Sequence, residues 1–155
     1  MRLEFLFLGK TKNKYCAALV EEYHKRIRHQ VQAEIIIIKE KKNSSRQPER
    51  IMEQEGEQLL RQIPDHAFLV ALDVKGRELS SEKLAGQLSQ WEGRAVKSVS
   101  FIVGGPYGLT KAVLDRADLI LSLSRMTFPH DLARVMLLEQ IYRAYGIKAG
   151  SGYHK

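Results

Sequence analysis

The sequence predicts an α/β fold with a mainly parallel sheet and helices on both faces. Short apolar runs alternate along the chain with longer stretches whose apolar residues recur at helical spacing. Four consecutive isoleucines, Ile35–Ile38, suit a strand that is covered on both faces, as in a parallel sheet. The 155 residues are enough to bury one core and contain no internal repeat, so we expect residues 1–155 to form a single domain.

The first elements have clear start and stop signals. Arg2–Leu8 becomes continuously apolar and is closed by Gly9, which predicts the first strand. Pro48 suits the first turn of a helix, because the N–H that proline lacks would have no partner there. Residues 41–47 contain no apolar side chain and are expected to form a mobile polar loop. The other elements predicted here are a helix over Lys14–Arg28, a strand over Glu34–Lys39 and a helix over Pro48–Gln62.

The alternation continues in the second half of the chain. Ala67–Leu72 is a further buried-strand pattern, and the turn signal Lys75–Gly76 is expected to follow its end. Ser80 or Ser81 caps the next helix, which is predicted to extend to about Trp91. Two strands and a short helix follow, over Lys97–Val103, Leu119–Leu123 and Thr110–Ala117.

The last helix is predicted to start after Pro129 and to end with Gly146 as its C-cap. Asp131 near its start suits the helix dipole. Apolar residues surround most of its circumference, so several of its sides must be buried, either by a second copy of the chain in a twofold dimer or within one subunit. These residues are Leu132, Val135, Met136, Leu137, Leu138 and Ile141.

Composition excludes several classes of protein. Hydrophobic residues make up 44% and charged residues 28%, as in ordinary globular domains. The one cysteine, Cys16, cannot form an intramolecular disulfide, which favours the reducing cytoplasm. Apolar runs such as Phe68–Leu72 are far shorter than the roughly 20 residues that cross a bilayer, so we expect no membrane association. A net charge of +7 favours an anionic partner, above all a nucleic acid.

Two loops that follow predicted strands are the candidates for a ligand site. Gly104–Leu109 reads Gly-Gly-Pro-Tyr-Gly-Leu, and its glycines permit close approach of a ligand to main-chain amides. Its spacing fits neither the dinucleotide nor the P-loop signature, which disfavours both classes. Arg125–His130 follows the next strand, so the two loops could line one pocket that binds a purine. A plain tight turn explains the glycines equally well, and His130 is either a base or a structural residue.

The C-terminal segment combines positive charge with aromatic rings. From Arg125 onward, five basic residues stand against two acidic ones, with three tyrosines among them. Cations bind phosphates and aromatic rings stack on unpaired bases, so the segment is a candidate RNA-binding surface. The alternative is a solvated helix face on which Glu139 and Arg143 form a pair at i, i+4. The histidines are isolated from one another and from carboxylate clusters, so we predict no metal site.

Several motifs occur together in one order and spacing. They are Glu53–Gln58, Ala71–Asp73, Gly104–Leu109, Leu123–His130, Ile141–Ala144 and the terminal Tyr153–His154. With these motifs, essentially the whole chain resembles the bacterial large-subunit ribosomal RNA (23S rRNA) pseudouridine N3-methyltransferase family of the SPOUT class. The resemblance implies a SPOUT-type fold with a C-terminal trefoil knot, a homodimer in the cytoplasm, and S-adenosyl-L-methionine as the methyl donor. The implied methyl-donor pocket comprises Leu72, Gly105, Ser124, Arg125, Met126, Thr127, Phe128 and Pro129.

The resemblance also implies the reaction, which is methylation of N3 of a pseudouridine in 23S rRNA. The chain carries no appended RNA-binding module, so we expect it to recognise its target within the assembled ribosome. We interpret His154 as the proton acceptor, with Arg134, Arg143 and Tyr153 placing the RNA. Two other classes remain open on the residues alone, a non-catalytic RNA-binding protein and a small nucleotide-binding sensor.

Overall fold

A computed structural model describes residues 1–40 and 47–152 of the chain. Its strands are β1 (Arg2–Leu8), β2 (Ala33–Ile38), β3 (Phe68–Glu78), β4 (Ser98–Val103) and β5 (Leu119–Ser122). Its helices are α1 (Lys14–Arg28), α2 (Pro48–Gln62), α3 (Ser81–Gly93), α4 (Lys111–Arg116) and α5 (His130–Lys148). The strands form a sheet in the order β2-β1-β4-β3-β5, and each neighbouring pair is parallel. The predicted α/β class is confirmed.

Alternate residues of β1 point to opposite faces of the sheet and enter two separate cores. Phe5 and Phe7 pack in the first core with apolar residues of α1, α3 and α5. Leu6 and Leu8 pack in the second core, to which α2 contributes Leu59 and α4 contributes Val113. Helices therefore cover both faces of the sheet, as the alternation of elements predicts.

Side-chain caps fix the starts of three helices. The Oδ1 atom of Asn13 accepts hydrogen bonds from the main-chain N–H groups of Tyr15 and Cys16, at 3.0 and 3.1 Å. Ser80, rather than Ser81, caps α3 by accepting from the N–H of Lys83 at 3.2 Å. Thr110 is the N-cap of the short helix α4. Helix α2 begins at Pro48, as predicted.

The expectation that Ile35–Ile38 is covered on both faces is wrong for one residue. Among the described strands, β2 lies at the edge of the sheet with β1 as its one neighbour, and Ile37 is 42% exposed. The predicted polar loop over residues 41–47 lies almost wholly outside the described residues.

The predicted turn at Lys75–Gly76 is also wrong, because β3 continues through it to Glu78. Leu72 and Arg77 both pair with Leu121 of β5, so the residues between them form a bulge in the ladder. A side chain at Gly76 could not be accommodated here, since a Cβ atom would lie 2.7 Å from the main-chain oxygen of Ile120. The glycine allows two main chains to approach closely instead of marking a turn.

Helix α5 extends two residues past the predicted C-cap. Gly146 is buried inside the helix, the C-cap is Ala149, and Gly150 follows with a φ of +65°. Six apolar residues of this helix are expected to need burial, and four of them are buried within the chain: Val135, Leu137, Leu138 and Ile141. Contacts with α1, α3 and the sheet therefore account for most of its apolar surface, and Leu132 is the member of the set that is exposed.

Candidate functional site

A cavity of about 780 Å³ lies at the carboxyl ends of β4 and β5 and beside the bulge of β3. A ligand site is expected at the carboxyl ends of the strands in an open parallel sheet, and this volume is within the usual range for small-molecule sites. The structure brings the two loops predicted from the sequence together around this cavity. Its lining residues are Leu72, Asp73, Val74, Val103, Gly104, Gly105, Pro106, Tyr107, Gly108, Leu121, Leu123, Ser124, Met126, Thr127, Phe128, Pro129, His130 and Ala133.

Seven of the eight residues assigned to the methyl-donor pocket line this cavity, and Arg125 does not. The Arg125 side chain is 88% exposed, and its Nε atom lies 3.5 Å from Oε2 of Glu78. Sequence reasoning missed the apolar lining residues Val103, Leu121 and Ala133. A signal for two of them was available, because Val103 and Leu121 lie at or near the carboxyl ends of predicted strands.

The bulge of β3 shapes one wall of the cavity. Asp73 and Val74 lie in the bulge, where they line the cavity instead of continuing the ladder. The hydroxyl of Ser122 lies 3.2 Å from the main-chain oxygen of Val74 and 3.0 Å from that of Ser124, so it is placed between the bulge and the loop after β5. The Ser124 hydroxyl accepts a hydrogen bond from the N–H of Met126 at 3.0 Å. These contacts give the loop after β5 a defined conformation.

The glycine-rich loop forms the opposite wall. The N–H of Gly108 donates to the main-chain oxygen of Gly105 at 3.1 Å, and Gly108 has a φ of +84°. A Cβ atom at Gly105 would lie 3.0 Å from Oε2 of Glu55 and 3.1 Å from Cδ2 of Leu8. The loop therefore packs closely against α2 and the end of β1, which leaves main-chain groups to face a ligand.

The chemistry of the lining fits a ligand without phosphate. None of the described residues that line the cavity is a lysine or an arginine, and apolar side chains and main chain dominate it. An adenine ring suits such walls, and the carboxylate of Asp73 offers a partner for a positively charged group. The residues present therefore fit S-adenosylmethionine, which carries adenine and a sulfonium cation.

A buried ion pair lies beside the cavity, in the first turn of α5. The Arg134 side chain has 0% exposure, and Nη1 lies 3.5 Å from Oδ1 of Asp131. Its guanidinium donates to the main-chain oxygen of Leu8 and, at 3.1 Å, to Oγ1 of Thr11. Burial lowers the pKa of Arg134, while the charge of Asp131 opposes that effect. Arg134 thus binds the loop after β1, and its predicted contact with RNA is disfavoured by its burial.

A partly buried acid, Glu55, lies behind the glycine-rich loop. Among the described side chains, Oε2 of Glu55 is buried and has no hydrogen-bond partner. Burial raises the pKa of Glu55, and the nearby negative charge of Glu40 raises it further. Glu55 belongs to the Glu53–Gln58 motif, and the sequence alone predicts no role for it.

The remaining predicted residues lie at the far end of α5 or beyond it. The Nε atom of Arg143 donates to Oε1 of Glu139 at 3.0 Å, so the predicted pair at i, i+4 forms. Both side chains are partly buried, and the role of Arg143 in placing RNA stays a prediction. Tyr153 and His154 lie outside the described residues, and their roles stay predictions. In the described ranges no group of histidine, cysteine and carboxylate side chains could hold a metal ion, and no helix is long and apolar enough to cross a membrane.

Another polar cluster joins the ends of α3 and α5. Glu92 accepts hydrogen bonds from the Tyr145 hydroxyl at 3.1 Å and from the Lys148 ammonium at 2.6 Å. Partial burial opposes ionisation of Glu92, but the hydrogen bond and charge of Lys148 outweigh it and lower the pKa of Glu92. Burial and the charge of Glu92 raise the pKa of Tyr145. This cluster links the end of α5 to the end of α3 and contains none of the cavity residues.

The fold is shared with two solved structures of low sequence identity. A probable methyltransferase from Bordetella pertussis superposes with a TM-score of 0.58 at 15% identity, over 93% of this chain and 96% of that one. A probable methylase family protein from Haemophilus influenzae gives a TM-score of 0.54 at 9% identity, over 97% of this chain and 67% of that one. These likenesses show the class of fold alone, an α/β domain built on a parallel sheet.

Sequence comparison then gives the family. A family model described as a predicted SPOUT methyltransferase matches residues 1–154. A protein named ribosomal RNA large subunit methyltransferase H from Desulfotalea psychrophila is 50% identical over 155 residues, and one of the same name from Bifidobacterium animalis subsp. lactis is 41% identical over 159 residues. In both cases the match covers 100% of each chain. The chain belongs to the SPOUT methyltransferase family, as the resemblance of its motifs predicts.

Proposed function

We propose that this protein is an S-adenosylmethionine-dependent methyltransferase that acts on ribosomal RNA of the large subunit. The observation that carries the proposal is the cavity at the carboxyl edge of the sheet, with its apolar and main-chain lining and its two converging loops. The relatives named ribosomal RNA large subunit methyltransferase H match the whole chain and support the same substrate class.

At a finer level, we propose that the acceptor is N3 of a pseudouridine in 23S rRNA, methylated in the assembled ribosome. The bound donor supplies a sulfonium methyl group. In the transfer, the bond from sulfur to the methyl carbon breaks, a bond from that carbon to N3 forms, and the N3 proton leaves. The chain must therefore position the donor and hold the uracil-like ring so that N3 is in line with the bond from sulfur to the methyl carbon. It must also accept the N3 proton or let it pass to solvent.

The cavity residues position the donor. Gly105 and the loop Ser124–Pro129 would hold the donor through main-chain groups, and Leu72 and Phe128 would enclose its apolar part.

The proton acceptor has two candidates. His154 is the one that the family resemblance favours. His130 is the second, because it lines the cavity, and its Nε2 atom lies 3.3 Å from Oδ1 of Asp131. A carboxylate in this position can orient the imidazole ring toward the cavity.

We further propose that the protein is a homodimer in the cytoplasm. We also propose that the C-terminal segment of each chain forms a trefoil knot. Exposed apolar residues on two packed helices support the dimer. Leu19 lies on α1 and Leu132 on α5, and the N-terminal capping region of α1 is hydrogen-bonded to Asp131 at the start of α5. The trefoil knot is proposed from the family to which the chain belongs. The free thiol of Cys16 suits a reducing compartment.

The experiment is a transfer assay with methyl-labelled S-adenosylmethionine, in which assembled ribosomes and free 23S rRNA are parallel acceptors. We expect label in the assembled particles, and mapping of the modified nucleotide should place it on N3 of a pseudouridine. Binding of the donor with no transfer to either acceptor would favour the nucleotide-binding sensor. Binding of RNA that does not respond to the donor would favour the non-catalytic RNA-binding protein.

A further inference from the structure

We propose that Lys10, Lys12 and Lys14, together with Tyr15, form a binding site for the sugar–phosphate backbone of the RNA strand that carries the target nucleotide. These residues lie in the connection from β1 to α1 and in the first turn of α1, which we call the lysine loop (residues 9–15). This inference rests on the proposed function and adds a substrate-binding site to it.

The lysine loop lies on the same edge of the sheet as the cavity. Strand β1 pairs with β4 up to Phe7 and Val103, and Val103 lines the cavity. Leu8, which precedes the loop, is within reach of the glycine-rich wall at Gly105. A strand of RNA with one base at the methyl donor would therefore pass along this edge.

Charge and exposure suit the loop to RNA. The three lysines are exposed, and the Lys12 side chain is 71% exposed. The Tyr15 ring is 69% exposed, and the Lys14 Nζ atom lies 5.0 Å from its centroid. Lys12 also lies 3.5 Å from Glu40, an exposed pair of the kind that contributes little to stability. Ammonium groups bind phosphates and an exposed ring stacks on an unpaired base, so the loop offers both kinds of contact.

The main chain of the loop is held in one conformation by buried groups. Oδ2 of Asp131 accepts from the N–H groups of Lys12 and Asn13, at 3.0 and 2.9 Å. Gly9 begins the loop with a φ of +68°, and its N–H donates to the oxygen of Ile38 at 2.8 Å. A loop that is ordered before binding loses less conformational entropy when RNA binds.

The burial of Arg134 is explained by the same contacts. A buried guanidinium is costly, and within the described part of the chain its Nε atom has no partner. Its other nitrogens donate to Leu8, which precedes the lysine loop, and to Thr11, which lies in it. They also donate to Asp131, the residue that binds the main chain of the loop. The buried Arg134 cation is thus energetically costly, and its contacts order the lysine loop. The lysines of that loop in turn contact the RNA.

The test compares two triple variants of the full-length protein. The first is Lys10→Gln, Lys12→Gln and Lys14→Gln. The control is Lys25→Gln, Arg28→Gln and Lys97→Gln, which removes the same charge from exposed residues at the end of α1 and before β4. Affinity for assembled ribosomes is measured over a range of KCl concentrations, and methyl transfer is measured over a range of ribosome concentrations.

We expect the lysine-loop variant to lower the salt slope of ribosome affinity by roughly 2, since each phosphate contact to a single strand contributes about 0.7. Its KM for ribosomes should rise at least about tenfold with kcat little changed, because these contacts bind ground state and transition state alike. Its affinity for S-adenosylmethionine should equal that of the wild type.

A salt slope and KM that match those of the control variant would overturn the proposed RNA site. If the wild type itself neither binds ribosomes nor transfers methyl to them, the proposed function fails, and the two failures are thereby distinguished.

Discussion

Oδ2 of Asp131 lies 2.9 Å from the main-chain nitrogen of Asn13, so the first turn of α5 is hydrogen-bonded directly to the N-cap of α1. The two residues are 118 positions apart in the sequence. Their contact lies beside the candidate methyl-donor cavity, because His130 and Ala133 at the start of α5 line that cavity.

Replacement of Asp131 by alanine should destabilise the protein by about 3–5 kcal/mol, because it leaves the buried cation of Arg134 without its ionic partner. Two main-chain N–H groups also lose their acceptor. Urea denaturation measures the effect. The control is Asp115→Ala, which removes an exposed ion pair with Lys111 and should cost no more than about 1 kcal/mol. Equal losses for the two variants would contradict the role assigned to Asp131.

Replacement of Gly76 by alanine should destabilise the protein by about 1–3 kcal/mol and weaken the binding of S-adenosylmethionine. The added Cβ atom would lie 2.7 Å from the main-chain oxygen of Ile120, which cannot move without disturbing β5. Gly86→Ala is the matched control, since a Cβ atom there has open space inside helix α3, and it should stabilise the protein by about 0.4–1 kcal/mol. Thermal unfolding and calorimetric titration of the donor distinguish the two variants.

Replacement of Glu55 by glutamine should stabilise the protein more at high pH than at low pH. Burial raises the pKa of Glu55 in the folded state above its ordinary value of 4.5, so the native state binds more protons than the unfolded state. Stability is therefore lost as pH rises from the unfolded pKa through the folded one, and the uncharged glutamine side chain carries no such loss.

Urea denaturation of the Glu55 variant and wild type between about pH 4 and pH 8 measures this difference. Glu57→Gln, at an exposed position of the same helix, is the control. A stability difference between Glu55→Gln and wild type that stays constant over this range would refute the assignment.

Charged substitutions at the exposed apolar residues of α1 and α5 should dissociate the proposed dimer. Leu19→Asp combined with Leu132→Asp places charges in an interface that would otherwise be apolar, and each buried unpaired charge costs several kcal/mol. Sedimentation should show a two-chain mass for the wild type and a one-chain mass for the variant. Ile37→Asp, at an exposed apolar residue of the edge strand β2, should leave the mass unchanged. A one-chain wild type would reject the dimer.

Much of the fold follows from local sequence signals. Helices α1 and α2 and strand β1 begin and end where periodicity, Gly9 and Pro48 predict. The two loops at the cavity are also predicted, because strand ends and glycines can be recognised without knowledge of tertiary contacts.

Other features depend on contacts between residues distant in sequence, and the sequence misleads there. Gly76 looks like a turn residue, yet it serves the close approach of β3 to β5. Arg134 looks like a surface cation for RNA, yet α5 is packed on several sides and the guanidinium lies inside. Periodicity does not reveal the burial of Arg134, because an enclosed helix such as α5 has no polar face to orient it.

Methyl transfer to assembled ribosomes by the wild type and an Ala133→Phe variant tests the central claim most directly. Ala133 lines the cavity, so a phenyl group there would occupy the space proposed for the donor. We predict label on a pseudouridine of 23S rRNA with the wild type, and loss of both donor binding and transfer with the folded variant. Undiminished donor binding and transfer by Ala133→Phe would show that the donor binds elsewhere and would contradict the account.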